Sequence, residues 1–404
     1  MNTHRAISYR QLLAAPEMRA LLLATCLSRL AGRMFVLAIV LFALALADSP
    51  VLAGWLSFTA VAPGLVISPL AGALIDRVGS TWAITVDMVA SAAFVAVLAV
   101  AAQLNVATTP VLIMVVSLYS LTSPLSAAGI RALLPRLVPV NALDRANALD
   151  TATHGISDVV GPALAGMLVA LGGAKLALYT IATIYAVAAF SVGTIRRPSG
   201  RMPSMRTLLN QALDGLRRVI CQPTLRGLAV VYSMYNLSWG MLVVAVPVVA
   251  TRRFDEGTAD LIAGLLWAGL GIAGGIGALV AGHLRTARRE RPVMALGLLV
   301  TALAAWPRAA EFGLTGLVLG LMLVGAMAGP IDVGVLTLRQ RRTEPAELGR
   351  VLSVSMSLNM AGMPLGSALA GVLVTWSMSA TFAVAALASV LAAAAVSLIP
   401  SEDA

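Results

Sequence analysis

Five charged or titratable side chains stand out because the chain around them is otherwise apolar. Arg29 and Arg33 are spaced i, i+4 inside the run 20–46. Asp150, His154 and Asp158 are spaced i, i+4, i+8 inside Arg145–Val169. On a helix each set lies on one face. If both segments enter a membrane from the same side, Arg29 and Arg33 lie about 13 and 20 Å deep. Asp150, His154 and Asp158 then lie at about 8, 14 and 20 Å. A lone charge in hydrocarbon costs roughly 2.5–3.5 kcal/mol on insertion scales, so such groups face inward and pair. The depths predict Arg33 with Asp158, and Arg29 with Asp150 or His154. Two chemistries fit: permanent ion pairs, or a carboxylate or His154 that takes up and releases a proton. Asp332 is the one acid deep in the second half's apolar segments, directly after Gly329-Pro330-Ile331. It suits proton coupling or attraction of a cation, or a pairing with nearby arginines. Asp87, close to Arg77, is expected to be a structural partner.

The elements that must hold these groups follow from composition. The 404 residues are 59% hydrophobic and 11% charged, with mean hydropathy +0.91. That is too little polar surface for a soluble domain of this size. Apolar stretches of about 20 residues recur throughout, as in a polytopic helical membrane protein. They do not alternate, which excludes a closed β-barrel. Twelve spans are predicted: 20–46, 51–75, 82–103, 110–133, 145–171, 174–195, 225–250, 259–284, 292–310, 313–338, 348–374 and 377–399. The expected fold is an all-α membrane protein with 12 transmembrane helices in two pseudo-symmetric six-helix bundles. The bundles are residues 1–195 and 224–404. The segment 196–223 joins them through an amphipathic helix, with Leu209, Leu213, Leu216 and Ile220 opposite Arg206, Asn210, Asp214 and Arg217. Duplication is visible directly: Arg145–Val169 recurs as Arg350–Val374, and GPALAGMLV aligns with GSALAGVLV.

Of the 28 basic residues, twenty-two fall in loops or span ends on one side and four on the other; Arg29 and Arg33 lie deep within a span. The positive-inside rule then places both termini in the cytoplasm. The net charge of +10 is spread over short loops and forms no single basic face, so no nucleic-acid partner is expected. Lys175 is the single lysine, and no Gly-Lys pair exists for a phosphate loop. Cys26 and Cys221 are expected to be free thiols. The N-terminal run imitates a signal peptide but is long enough to span. No metal-ligand cluster and no catalytic constellation emerges, so neither a metal nor enzymatic activity is expected.

Other motifs concern motion and packing. Gly72-Ala73-Leu74-Ile75-Asp76-Arg77-Val78-Gly79 forms the loop after the second span, and Ala281-Gly282-His283-Leu284-Arg285 repeats it without the acid. Glycines there allow a tight turn and close helix approach. Tyr119 and Ser123 in the fourth span, with Tyr232, Tyr235, Asn236 and Trp239 in the seventh, supply aromatic area and weak hydrogen-bonding groups. Such surfaces suit amphipathic ligands, though small polar residues also serve helix packing. Gly269-Leu270-Gly271-Ile272-Ala273-Gly274 spells GxGxxG, but it lacks the strand and acid of a nucleotide site and is read as helix packing.

The 6+6 arrangement, GxLxDRxG after the second span and Gly161-Pro162-Ala163-Leu164-Ala165-Gly166 in the fifth resemble the major facilitator superfamily. Arg131-Ala132-Leu133-Leu134-Pro135 and Arg145-Ala146-Asn147-Ala148-Leu149 are similar to the drug/proton antiporter branch with macrolide and siderophore exporters. The resemblance implies alternating access, a cavity lined by spans 1, 4, 7 and 10, and proton-driven export. It implies a gating latch at Gly72, Asp76, Arg77 and Gly79, and an antiport role for Gly161, Pro162 and Gly166. The chain departs from the pattern in two places. Span 1 has two arginines where exporters often carry an acid, and span 4 lacks their central arginine.

The expected function is proton-coupled export of amphipathic small molecules across a bacterial inner membrane by a monomer, powered by the proton gradient with no cofactor. Partners are the lipid bilayer, the small-molecule substrate and protons. The alternatives are proton symport into the cell and a non-transporting receptor or scaffold on the same fold.

Overall fold

The computed structural model describes residues 8–139, 142–195, 205–255, 257–283, 289–305, 313–343, 354–355 and 357–400. The described residues are almost entirely helical and contain no strand. After a short α1 (Tyr9–Ala14) come α2 (Pro16–Ala47), α3 (Pro50–Thr59), α4 (Ala62–Val78), α5 (Ser80–Gln103), α6 (Thr109–Leu137) and α7 (Leu143–Gly193). Then follow α8 (Met205–Cys221), α9 (Pro223–Arg253), α10 (Thr258–His283), α11 (Glu290–Ala304), α12 (Gly313–Arg341), α13 (Gly362–Trp376) and α14 (Met378–Ala395). Ten helical stretches among the described residues are long and apolar enough to cross a membrane.

Two segments explain why that count differs from twelve, and a third is divided within a span that still counts. Predicted spans 5 and 6 run on as α7, broken only at Gly172 (φ −148°, ψ 20°) and Gly173 (φ 70°, ψ 175°). Positive φ at Gly173 needs a residue without Cβ, so this pair makes the turn while adding no loop. The second span divides into α3 and α4 at Ala60–Val61, because Pro63 has no N–H for the preceding turn. Helix α11 has 15 described residues, and the last five of the predicted span 292–310 lie outside the described residues.

Burial is uneven along the spans. Leu37–Leu44 of α2 and Met241–Ala250 of α9 are buried on every side. Both stretches lie toward the side of the spans that carries only four basic residues, Arg252 and Arg253 at the end of α9 among them. Four glycines bring the helices together there. A Cβ on Gly54 (α3) would stand 2.9 Å from Gly371 Cα (α13). One on Gly264 (α10) would stand 3.0 Å from Gly166 Cα (α7). The two contacts are related by the repeat: Gly54 corresponds to Gly264, and Gly166 to Gly371. Small residues at such crossings let backbones touch, which gives membrane helices their packing energy. The first and second halves of the chain are therefore locked together on the arginine-poor side. Between α4 and α5 the turn is Gly79 (φ 89°), whose N–H bonds Ile75 O at 2.7 Å.

Candidate functional site

The paired charges meet as their depths require. Arg29 forms a two-pronged bond with Asp150: Nη1 lies 3.0 Å from Oδ1, and Nη2 donates to Oδ2 at 3.0 Å. Nη1 also donates to the Asp150 carbonyl at 2.7 Å and to Thr153 Oγ1. The side chains of Arg29 and Asp150 are only 16% and 21% exposed. Arg33 Nε pairs with Asp158, but these side chains are 47% and 42% exposed. Gly161 makes this second pair reachable. A Cβ there would lie 2.6 Å from Arg33 Cβ, so the glycine seats α2 against α7 one turn beyond Asp158. His154 is exposed among Arg29, Arg33, Asp150 and Asp158, with no hydrogen bond or ion pair of its own among the described residues. The alternative pairing of Arg29 with His154 is not the one formed.

The half-exposed pair opens onto a central cavity of about 550 Å³. Arg33, Asp158 and Pro162 line it from the first half of the chain; Tyr232, Tyr235, Asn236, Trp239, Trp267 and Asp332 line it from the second. The aromatic rings form a ladder. Tyr232 and Tyr235 have centroids 5.6 Å apart, Tyr235 and Trp239 6.1 Å, and Trp239 and Trp267 5.9 Å. Tyr232 Oη donates to Asp332 Oδ1. Among the described residues Asp332 has no guanidinium or ammonium partner, so the alternative of a pairing with nearby arginines is not formed there. Tyr235 Oη and Trp239 Nε1 are buried and, among the described residues, have no partner within hydrogen-bond geometry. The wall thus offers two unpaired polar groups, one carboxylate and a broad aromatic face.

Four of the six expected cavity residues are on the wall: Tyr232, Tyr235, Asn236 and Trp239. Tyr119 and Ser123 are not. Tyr119 is buried against Phe35, 4.3 Å between centroids, and its hydroxyl bonds Tyr185 Oη at 2.6 Å. Ser123 is exposed on α6 outside the cavity. The phenol found a buried partner, and hydroxyl content alone could not reveal that. Trp267 was missed because its neighbours read as plain helix packing. The glycines beside it do both: Gly271 and Gly274 line the cavity and also approach α7 and α12.

Other expectations meet mixed outcomes. Asp87 does not pair with Arg77; it is 4% exposed and ringed by hydroxyls, while Arg77 is exposed at the end of α4. Gly72 and Asp76 fall in the last turns of α4, but their side-chain environment lies outside the described residues, as do residues 344–353. The linker helix forms as α8; Leu213 and Ile220 are exposed, while Gly215 and Val219 are buried, Val219 beside Leu225. The expected apolar face therefore points away from the protein at Leu213 and Ile220.

An all-helical bundle, a closed end and a charged aromatic cavity between the halves are the architecture of a membrane transporter. The family profile of the Major Facilitator Superfamily matches residues 21–289 and 228–404, and the chain belongs to that superfamily. It is a multi-pass membrane transporter. It is 55% identical over 398 residues to the uncharacterized MFS-type transporter y4rN of Sinorhizobium fredii, covering 98% of each chain. It is 27% identical to the multidrug efflux pump Tap of Mycolicibacterium fortuitum, covering 76% of this chain and 77% of that one. It is 28% identical to the enterobactin exporter EntS of Shigella boydii, covering 61% and 59%. Among solved structures, the nucleoside transporter NupG shares the fold with a TM-score of 0.73 at 14% identity, covering 95% and 98%.

Proposed function

We propose that the protein exports amphipathic small molecules in exchange for protons. The observation that carries this reading is the cavity itself. Asp158 and Asp332 reach it from opposite halves of the chain, across a wall of Tyr232, Tyr235, Trp239 and Trp267. An aromatic wall with few polar groups accepts ligands of varied shape. A carboxylate that is accessible to the cavity can exchange a proton or hold a cation, and so couple two fluxes through one site. The efflux relatives at 27% and 28% identity favour export over uptake. The glycine-sealed end and the open charged face fit one stage of alternating access, in which the bundles 1–195 and 224–404 rock about the cavity. The arginine-rich side faces the cytoplasm of a bacterial inner membrane, with both termini there. Gly72, Asp76, Arg77 and Gly79 latch the opposite stage, and Gly161, Pro162 and Gly166 serve antiport. The protein works as a monomer and needs no cofactor beyond the proton gradient.

The test is reconstitution into liposomes with an imposed pH gradient and a panel of lipophilic cations, macrolides and siderophores. Export predicts substrate movement opposite to the proton gradient, with matching proton flux. Movement in the same direction as protons would establish symport instead, and no movement of any compound would remove the reading. Asp158→Asn and Asp332→Asn separate the two carboxylates: the coupling group is the one whose neutral variant still binds substrate but no longer moves protons.

A further inference from the structure

Two repeat-related crossings join the halves of the chain, and only one is filled by side chains. At the first, α7 and α10 run antiparallel. A Cβ on Gly264 would stand 3.0 Å from Gly166 Cα, and one on Gly271 would stand 3.1 Å from Val159 Cγ2 and 3.2 Å from the Asp158 carbonyl oxygen. One turn further along each helix, the same register sets Gly155 opposite Gly275. There the contact is lost: among the described residues, a Cβ on either glycine would meet nothing within 4 Å. Neither has the positive φ that demands glycine. Each costs its helix stability relative to alanine, with no gain in packing or turn geometry.

The second crossing brings α4 to the segment that leads into α13. Here the counterparts of Gly275 and Gly155 are Leu65 and Met360. Both are half-buried, and one turn away the Ser68 and Ser357 hydroxyls hydrogen-bond across the halves at 2.9 Å. The bare crossing is therefore a departure from the repeat, not a requirement of it.

Gly155 and Gly275 are exposed and also line the central cavity, as does Ile272, which is 52% exposed. Residues that belong at once to the cavity wall and to the outer surface mark a side opening. Its outer rim is apolar: Ile156, Ile276 and Leu279 are all exposed. Gly275 lies eight residues from the end of α10 at His283, about 12 Å along the helix and within the leaflet on the arginine-rich side. At that depth the opening faces acyl chains.

We propose that the gap between Gly155 and Gly275 is a lateral port that holds the apolar tail of an amphiphilic ligand whose cationic head lies beside Asp332. This rests on the reading of the cavity as the site of an amphipathic compound, and it narrows that class to molecules with a tail too long for about 550 Å³. Such a tail need not fold into the cavity. It passes between two bare helix backbones into the bilayer, and the ligand enters from that leaflet by the same route.

The full chain in lipid nanodiscs, with Cys26→Ser and Cys221→Ser, tests the opening. Bimane is attached to Gly275→Cys or to Leu65→Cys. A phosphatidylcholine with a nitroxide on its acyl chain should quench the label at 275 strongly and at 65 weakly. Quenching at 275 by aqueous iodide alone, or equal lipid quenching at both positions, overturns the port. Binding of alkyltrimethylammonium ions from butyl to dodecyl, referred to free aqueous ligand, tests the tail. Affinity should rise up to about fourfold per added methylene. Gly275→Leu should lower the dodecyl-to-butyl affinity ratio at least about tenfold, and Gly155→Leu should do the same from the facing helix. If one variant fails to fold, the other decides. Lipid quenching with an unchanged ratio means that only a bilayer lipid fills the gap, and the tail site falls. Lipid quenching with no binding at any chain length refutes the amphipathic-ligand reading of the cavity and leaves the opening. None of these measurements requires transport.

Discussion

The two copies of the repeated segment, in α7 and in the region of α13, perform the same task at one end and different tasks at the other. At the arginine-poor end, Gly166 meets Gly264 and Gly371 meets Gly54, and a Cβ on any of the four would stand 2.9 or 3.0 Å from the facing glycine's Cα. At the other end, α7 carries Asp150, His154 and Asp158 where the second copy has Ser355, Asn359 and Met363. The first copy binds Arg29 and Arg33 of α2. The second uses neutral groups: with its amide suitably oriented, Asn359 accepts from Arg339 Nη2 at 2.7 Å and donates to Ser355 O at 3.0 Å. Met363 lines the cavity as an apolar surface where Asp158 lines it as an acid. Packing sites tolerate little change, because a Cβ at a backbone contact forces two helices apart. The cavity-facing positions were free to diverge once the helices were held.

The largest expected effect breaks the charged copy. Arg29→Leu leaves Asp150 without its partner in a mostly buried site, which costs about 3 kcal/mol. A lower unfolding temperature and reduced yield from membranes would record it, and Arg29→Leu combined with Asp150→Leu should recover much of the loss. Next comes the shared end. Gly166→Leu or Gly371→Leu should disfavour the sealed state by about 1–3 kcal/mol through overpacking. Labelling of cysteines placed beside the seal, from the arginine-poor side, should rise accordingly. If only one of the two variants opens the seal, the ends are not equivalent. Asp332→Asn should weaken binding of a cationic ligand about tenfold while leaving neutral ligands unaffected, since charge-assisted contacts contribute about 1.5–3 kcal/mol. Equilibrium binding to the purified protein distinguishes the two. Asn359→Ala, the neutral counterpart, should cost only about 1 kcal/mol in thermal stability. The smallest effect is Arg33→Gln, under about 1 kcal/mol, because water already screens that pair. A large destabilisation there would mean that the half-exposed pair is as essential as the buried one.

Much of this was legible beforehand because helices convert spacing into position. The i, i+4 pattern and equal depths were enough to name Arg33–Asp158 and to narrow Arg29 to Asp150 or His154, since a charge in hydrocarbon has few acceptable partners. The duplicated GxxLAG ends likewise announced a duplicated contact. The residues that misled were those whose partners sit on other helices at unconstrained rotation. Tyr119 turned to Tyr185, not to the cavity, and Asp87 turned to hydroxyls of α6, not to Arg77. Trp267 joined the wall only because the glycines around it let α10 approach α7.

The sequence by itself determined the helical membrane class, the duplication and the depth at which each charge lies. All three follow from local chemistry: apolar run length, residue type and a fixed rise per residue. Only the tertiary structure decided which end is sealed, that Asp158 and Asp332 share one cavity, and that Asp87 stands apart from it. Those outcomes depend on how helices rotate and cross, which is set by many small side-chain contacts between segments far apart in the chain.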